Sequence, residues 1–98
     1  MSYYFIARIR ITDPVEYKVY LDKAGDIFRK YNGRYLVLDD EPEILEGTWD
    51  STRIVVIEFT SKDEFNAWYN SPQYQEILKH RLNASDCNTI LAKGLNKD

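Results

Sequence analysis

The first apolar pattern in the chain has a period of two. In YYFIARIRI the odd positions Tyr3, Phe5, Ala7, Ile9 and Ile11 are all apolar, whereas the even ones run Tyr4, Ile6, Arg8 and Arg10. That alternation predicts a strand with one buried face. The period then changes. TDPVE offers Asp13 as an N-cap, Pro14 for the first helical position and Glu16 for a capping-box arrangement, so a helix is expected to start there. Tyr17, Tyr20, Leu21, Ala24, Ile27, Phe28 and Tyr31 follow at spacings of three and four, one stripe for packing on a sheet. In YNG, Gly33 is expected to end the helix in a left-handed conformation.

RYLVL is aromatic and β-branched over the length of a strand, and the proline and charges of the following DDEPE predict a solvated loop. EILEG can resume extended structure briefly. RIVVIEF is almost continuously apolar, which predicts a central strand covered on both faces, with Glu58 as the exception. Ser61 and Glu64 in SKDEF repeat the helix-start chemistry, for a helix running to about Asn70. Ser71 and Pro72 then start a third, with Tyr74, Ile77, Leu78 and Arg81 on one side. NTILAKG reads as a last strand, and NKD as a polar tail.

The resulting order, β, long α, β, β, paired α, β, is that of a ferredoxin-like βαββαβ fold of the α+β class. It has an antiparallel sheet with helices on one face. The other face would carry Arg8 and Arg10 with Ile54, Val56 and Glu58, too apolar to be left in water. A second copy of the chain would bury it, forming a dimeric α+β barrel.

With 98 residues, 44% of them hydrophobic, the chain is expected to be one domain spanning residues 1–98. A domain this small buries only about 60 to 65% of its unfolded surface, which favours a homodimer. Thirteen Lys and Arg against sixteen Asp and Glu, a net charge of −3, argue against a nucleic-acid partner. No apolar run reaches the roughly 20 residues that cross a bilayer, and the N-terminus lacks a signal-peptide pattern, so no membrane partner is expected and the chain reads as cytoplasmic. Cys87 is the sole cysteine and His80 the sole histidine, which excludes an internal disulfide and a conventional zinc set. The four glycines are far apart, so there is no phosphate loop or dinucleotide fingerprint, and no cofactor or metal is expected.

The segments GRYLV, EFTS and AWYNSPQY, with Arg81 after them, resemble a family of small bacterial proteins known as domain of unknown function thirteen-thirty. The opening FIARIRITDPVEY and closing ILAKG are similar to it as well. The resemblance implies a dimeric α+β barrel within a superfamily that includes cofactor-free monooxygenases, isomerases and haem-handling proteins. It implies no reaction, since the family has none assigned and a fold does not fix a function. This chain has Asn32 and Gly33 where members often read glycine-glycine, and asparagine also tolerates left-handed geometry. His80 lies outside the family pattern.

Two readings of the candidate chemistry stay open. Adjacent helical positions point about 100° apart, so Trp68 and Tyr69 cannot both face the core. Trp68 is expected inside, with Tyr69 either along the neighbouring helix or, with Tyr74 and Arg81, at a pocket rim beyond the Asn70-Ser71-Pro72 bend. Arg8, Arg10, Arg34 and Glu58 either form Arg–Glu pairs that tie the barrel together or leave an arginine to bind a carboxylate or enolate. His80 is expected to pair with Glu76 four residues earlier. DDEPE lacks the ligand spacing of a calcium loop. The ligand-binding candidates are therefore Arg8, Arg10, Arg34, Glu58, Tyr69, Tyr74 and Arg81, for a small, partly apolar, anionic molecule. The alternatives are a cofactor-independent enzyme acting on a small carbonyl compound or aromatic acid, and a purely structural homodimer.

Overall fold

The computed structural model describes residues 2–50 and 53–95; the NKD tail lies outside the described residues. Seven elements follow one another: β1 (Tyr3–Ile11), α1 (Pro14–Phe28), β2 (Arg34–Asp39), β3 (Arg53–Phe59), α2 (Lys62–Tyr69), α3 (Pro72–Asn83) and β4 (Ser85–Lys93). The strands form one antiparallel sheet in the order β2-β3-β1-β4. This is the ferredoxin-like α+β fold that the pattern predicts. No strand forms over EILEG, and residues 40–50 connect β2 to β3 irregularly.

Local chemistry starts each helix. The Asp13 carboxylate accepts the N–H groups of Val15 and Glu16 at 3.1 and 3.2 Å, and Ser61 accepts that of Glu64 at 3.1 Å. Asp13 donates its own N–H to the Ala84 carbonyl, so the reciprocal half of a capping box is not made. Between α2 and α3 one hydroxyl serves both helices. Ser71 Oγ donates to the Trp68 carbonyl at 2.8 Å and accepts the Tyr74 N–H at 3.2 Å, with Pro72 at the first helical position, where its missing N–H costs nothing.

The end of α1 departs from expectation. Among the described residues only Gly47 has a positive φ, at 72°, so Gly33 is not a left-handed cap. Its role is spatial: a Cβ there would lie 2.7 Å from the rings of both Phe28 and Phe59. Glycine lets the chain enter β2 beneath two aromatic side chains.

Phe5, Ala7 and Ile9 of β1, with Val55, Ile57 and Phe59 of β3, turn toward the helices. Over them lies an aromatic layer centred on Trp68, which is 2% exposed and touches the rings of Phe5, Phe28, Phe59, Phe65, Tyr69 and Tyr74 at centroid distances of 4.3 to 6.1 Å. Trp68→Ala should cost about 3 to 5 kcal/mol, and Gly33→Ala about 1 to 3 kcal/mol through overpacking. Urea denaturation measures both, and a neutral Gly33→Ala would refute the spatial reading of that glycine.

Candidate functional site

The helix layer does not close completely on the sheet. A cleft remains whose floor is Phe5, Ala7, Ile9, Val55 and Ile57 and whose walls are Tyr17, Tyr20, Tyr35, Arg53, Trp68 and Arg81. Leu21, Tyr35 and Leu38 line it as well and are exposed, which places the mouth between α1 and β2. The cleft is narrow, with a volume of about 40 Å³, room for a few waters.

Arg81 is the unusual member. It lies seven residues after Tyr74 on the buried side of α3 and is 2% exposed. One terminal nitrogen donates to the Cys87 sulfur at 3.3 Å, and the guanidinium carbon lies 5.8 Å from the centre of the Tyr20 ring. Among the described residues no carboxylate pairs with it, and its Nε is buried without a hydrogen-bond partner. A guanidinium remains charged in proteins, and an uncompensated buried charge costs several kcal/mol. Burial pulls the Arg81 pKa down, but the Tyr74 and Tyr20 oxygens and the Cys87 sulfur push it up, and the net shift is upward.

Arg53 is placed differently. It stands in phase with Val55 and Ile57 on the helix-facing side of β3, its side chain is 12% exposed, and it donates to Asp40 Oδ1 at 2.6 Å. Its Nε is also buried without a partner. Opposite, the Tyr20 and Tyr74 hydroxyls share a buried hydrogen bond of 2.8 Å. Burial raises the pKa of both, and that of Tyr17 despite the nearby Arg53 and Arg81 charges. These three phenols are therefore neutral hydroxyls at neutral pH rather than bases.

The sheet separates the sequence-derived candidates into two groups. Arg81 lines the cleft, whereas Tyr74 lies outside its wall, bonded to the Tyr20 hydroxyl and beside the Arg81 guanidinium. Tyr69 is half-buried, stacked on Phe65 at 5.2 Å, outside the cleft wall. Arg8, Arg10, Arg34 and Glu58 lie on the opposite face in ion pairs: Arg8 with Asp50 at 2.8 Å, Arg10 with Asp86, and Arg34 with Glu58 at 2.5 Å. Glu58 also accepts from the Ser2 and Tyr4 hydroxyls, and these bonds, Ser2 first and then Arg34, hold its pKa below the ordinary glutamate value. His80 pairs with Glu16 at 3.3 Å rather than with Glu76, which accepts from Lys79 instead.

Five cleft residues escaped the reading of the sequence as ligand candidates: Tyr17, Tyr20, Tyr35, Arg53 and Trp68. A signal existed for two kinds of them. An arginine stood in phase with the buried positions of a strand, and a core stripe used tyrosines where leucine would suffice.

The opposite face holds a second depression of about 290 Å³, lined mainly by Pro42, Ile44, Leu45, Trp49 and Ile54. The Arg8 guanidinium lies over the Trp49 ring at 5.0 Å. Around it the face is apolar, with Ile6 between Val56 and Ile90 across the strands.

A four-stranded antiparallel sheet with three helices on one face defines the class as ferredoxin-like α+β. Residues 2–95 match the family model described as Domain of unknown function (DUF1330), and the chain belongs to that family. Similar solved structures include a protein of unknown function from Rhodopseudomonas palustris, with a TM-score of 0.78 and 22% identity over 97% of this chain and 83% of that one. SnoaB, a cofactor-independent oxygenase from Streptomyces nogalater, superposes with a TM-score of 0.69 at 15% identity over 98% of this chain and 95% of that one. A dimeric ferredoxin-like protein of unknown function from Thermobifida fusca has a TM-score of 0.62 at 16% identity, covering 95% of this chain and 92% of its own. At these identities the likeness is one of fold. Among curated protein sequences none matches the chain.

The Glu58 cluster generates a pH dependence. A carboxylate whose folded pKa is depressed contributes stability that is present above its unfolded value and is lost as pH falls through the folded one. Glu58→Gln should therefore shrink the loss of stability on acidification below the ordinary glutamate range, as read by chemical denaturation at stepped pH. An unchanged acid limb would show that these bonds do not hold the carboxylate in solution.

Proposed function

We propose that this chain is a small-molecule-binding protein of the dimeric α+β barrel type, and that a small, partly apolar anion occupies the cleft between helices and sheet. The carrying observation is Arg81: a buried guanidinium on the cleft wall with no acidic partner among the described residues. A planar cation with several fixed donors suits a carboxylate, and the tyrosine and tryptophan walls suit an apolar body. A bound anion would supply the counter-charge that the fold leaves out.

Two copies would pack through the opposite sheet face. Its arginines are already paired within one chain, which leaves an apolar centre in which Ile90 is 60% exposed, and Leu45 on the neighbouring loop is 83% exposed. A two-fold interface uses the same patch twice, and arginines already paired within each copy meet their counterparts with little repulsion.

A catalytic use of the same cleft is the second reading, supported by the fold shared with a cofactor-independent oxygenase. Arg81 would then stabilise an enolate-like anion of a small carbonyl compound or aromatic acid. The described cleft-lining residues include no carboxylate or imidazole to act as base, so binding is the reading the geometry supports better.

A thermal-shift screen of small carboxylic acids tests the binding reading, since a ligand at 100 times its Kd adds about 2.7 kcal/mol. Arg81→Met should abolish the response while costing less than about 1 kcal/mol, because replacing a buried charge by an apolar side chain of similar length is often neutral or stabilising. A strongly destabilised Arg81→Met that still binds acids would make the arginine structural. Sedimentation should show a dimer at micromolar concentration that Ile90→Asp dissociates, and a monomeric wild type would remove the barrel.

A further inference from the structure

The mouth of the cleft is arranged by a break in strand register. Ile57 and Val55, both on the cleft floor, stand opposite Tyr35 and Leu38 across the pairing of β2 with β3. Partners directly opposite in an antiparallel pair project to the same side of the sheet. Yet Tyr35 and Leu38 are three residues apart, a spacing that puts the side chains of a regular strand on opposite faces. A bulge at Leu36, where the register shifts between Tyr35 and Val37, absorbs the extra residue and brings both side chains to the mouth.

That placement leaves apolar surface in water. Leu21 and Tyr35 are 43% exposed and Leu38 is 56% exposed. A single exposed leucine is ordinary and needs no explanation. Here large side chains from α1 and β2 line one opening, the Tyr35 ring is set against Phe28 at 4.5 Å, and the opening leads to a wall that carries Arg81. The interface proposed for the open sheet face would not cover this lip, since Tyr35 and Leu38 project from the other side of β2. The lip offers apolar contact to whatever enters the cleft.

The interior limits what that is. About 40 Å³ holds a head the size of a carboxylate, so the part joining it to the lip must be slender. A chain of methylenes meets that condition, and a ring carried directly on the carboxylate does not. We infer that the cleft takes straight-chain aliphatic carboxylic acids, with the head at Arg81 and the chain leaving between α1 and β2 along Leu21, Tyr35 and Leu38. This rests on the reading of the cleft as an anion site and adds the apolar class of its ligand.

Titration calorimetry of the intact protein with butyrate, hexanoate and octanoate tests the chain, with benzoate as the compact acid and 1-hexanol as the uncharged control. Affinity should rise along the series by about twofold to fourfold for each added methylene, the upper figure being that of full burial. Benzoate should bind more weakly than hexanoate, and 1-hexanol should not bind. Leu38→Ser, an exposed change, should flatten the rise. Val37→Ser, on the other face of the same strand, should leave it as steep as in the wild type. Equal affinity along the series, benzoate binding as tightly as hexanoate, or a rise that Leu38→Ser leaves unaltered would overturn the straight-chain ligand while leaving the anion site standing. Failure of every acid to bind, or binding of 1-hexanol as tight as that of hexanoate, would overturn the anion site, and this inference with it.

Discussion

The contact of Trp68 with the rings around it holds the helix layer to the sheet. It draws on β1 through Phe5, on α1 through Phe28, on β3 through Phe59 and on α3 through Tyr74, so four elements share one side chain as their meeting point. Aromatic pairs of this kind add to the apolar area they bury. The position of Trp68 depends in turn on Ser71, whose hydroxyl accepts from α3 while donating to the Trp68 carbonyl. Without that bond, the axis of α3 would not be tied to the residue that packs the core.

The bend has a chemical consequence. Because α3 restarts at Pro72, its buried side carries Tyr74, Ile77, Leu78 and then Arg81, and the helix delivers a guanidinium to the edge of the aromatic layer. Tyr20 and Tyr74 meet there by their hydroxyls, and Tyr20 places its ring against the cation. A core assembled from leucines would have packed as well and left no polar lining. The tyrosines fill the space with rings that carry hydroxyls at their ends, which gives the cleft a partly polar lining.

The two faces of the sheet handle charge in opposite ways. On the open face each of the three arginines has a carboxylate beside it in its own chain, and the pairs surround an apolar centre. On the covered face Arg53 has one exposed partner and Arg81 has none among the described residues. Exposed pairs contribute little to stability, whereas a desolvated cation is costly until an anion reaches it. The first arrangement suits association of two neutral patches, and the second suits capture of an anion.

The element order, the starts of all three helices, the break at Ser71 and the core position of Trp68 were determined by the sequence alone, because each follows from local chemistry: a period of two, a period of three to four, or a cap within three residues of the N–H it accepts. The resemblance to the DUF1330 family rested instead on short segments and their order along the chain. What the tertiary structure decided lies at long separation. Glu16 meets His80 across 64 positions and Arg34 meets Glu58 across 24, partnerships set by strand register and helix packing that no local window contains. Gly33 looked like a left-handed cap and proved to be a spacer beneath Phe28 and Phe59, rings brought together only by the fold. Arg8, Arg10, Arg34, Arg53 and Arg81 are chemically alike on paper. Only the packed structure shows which of them found a carboxylate and which was buried without one.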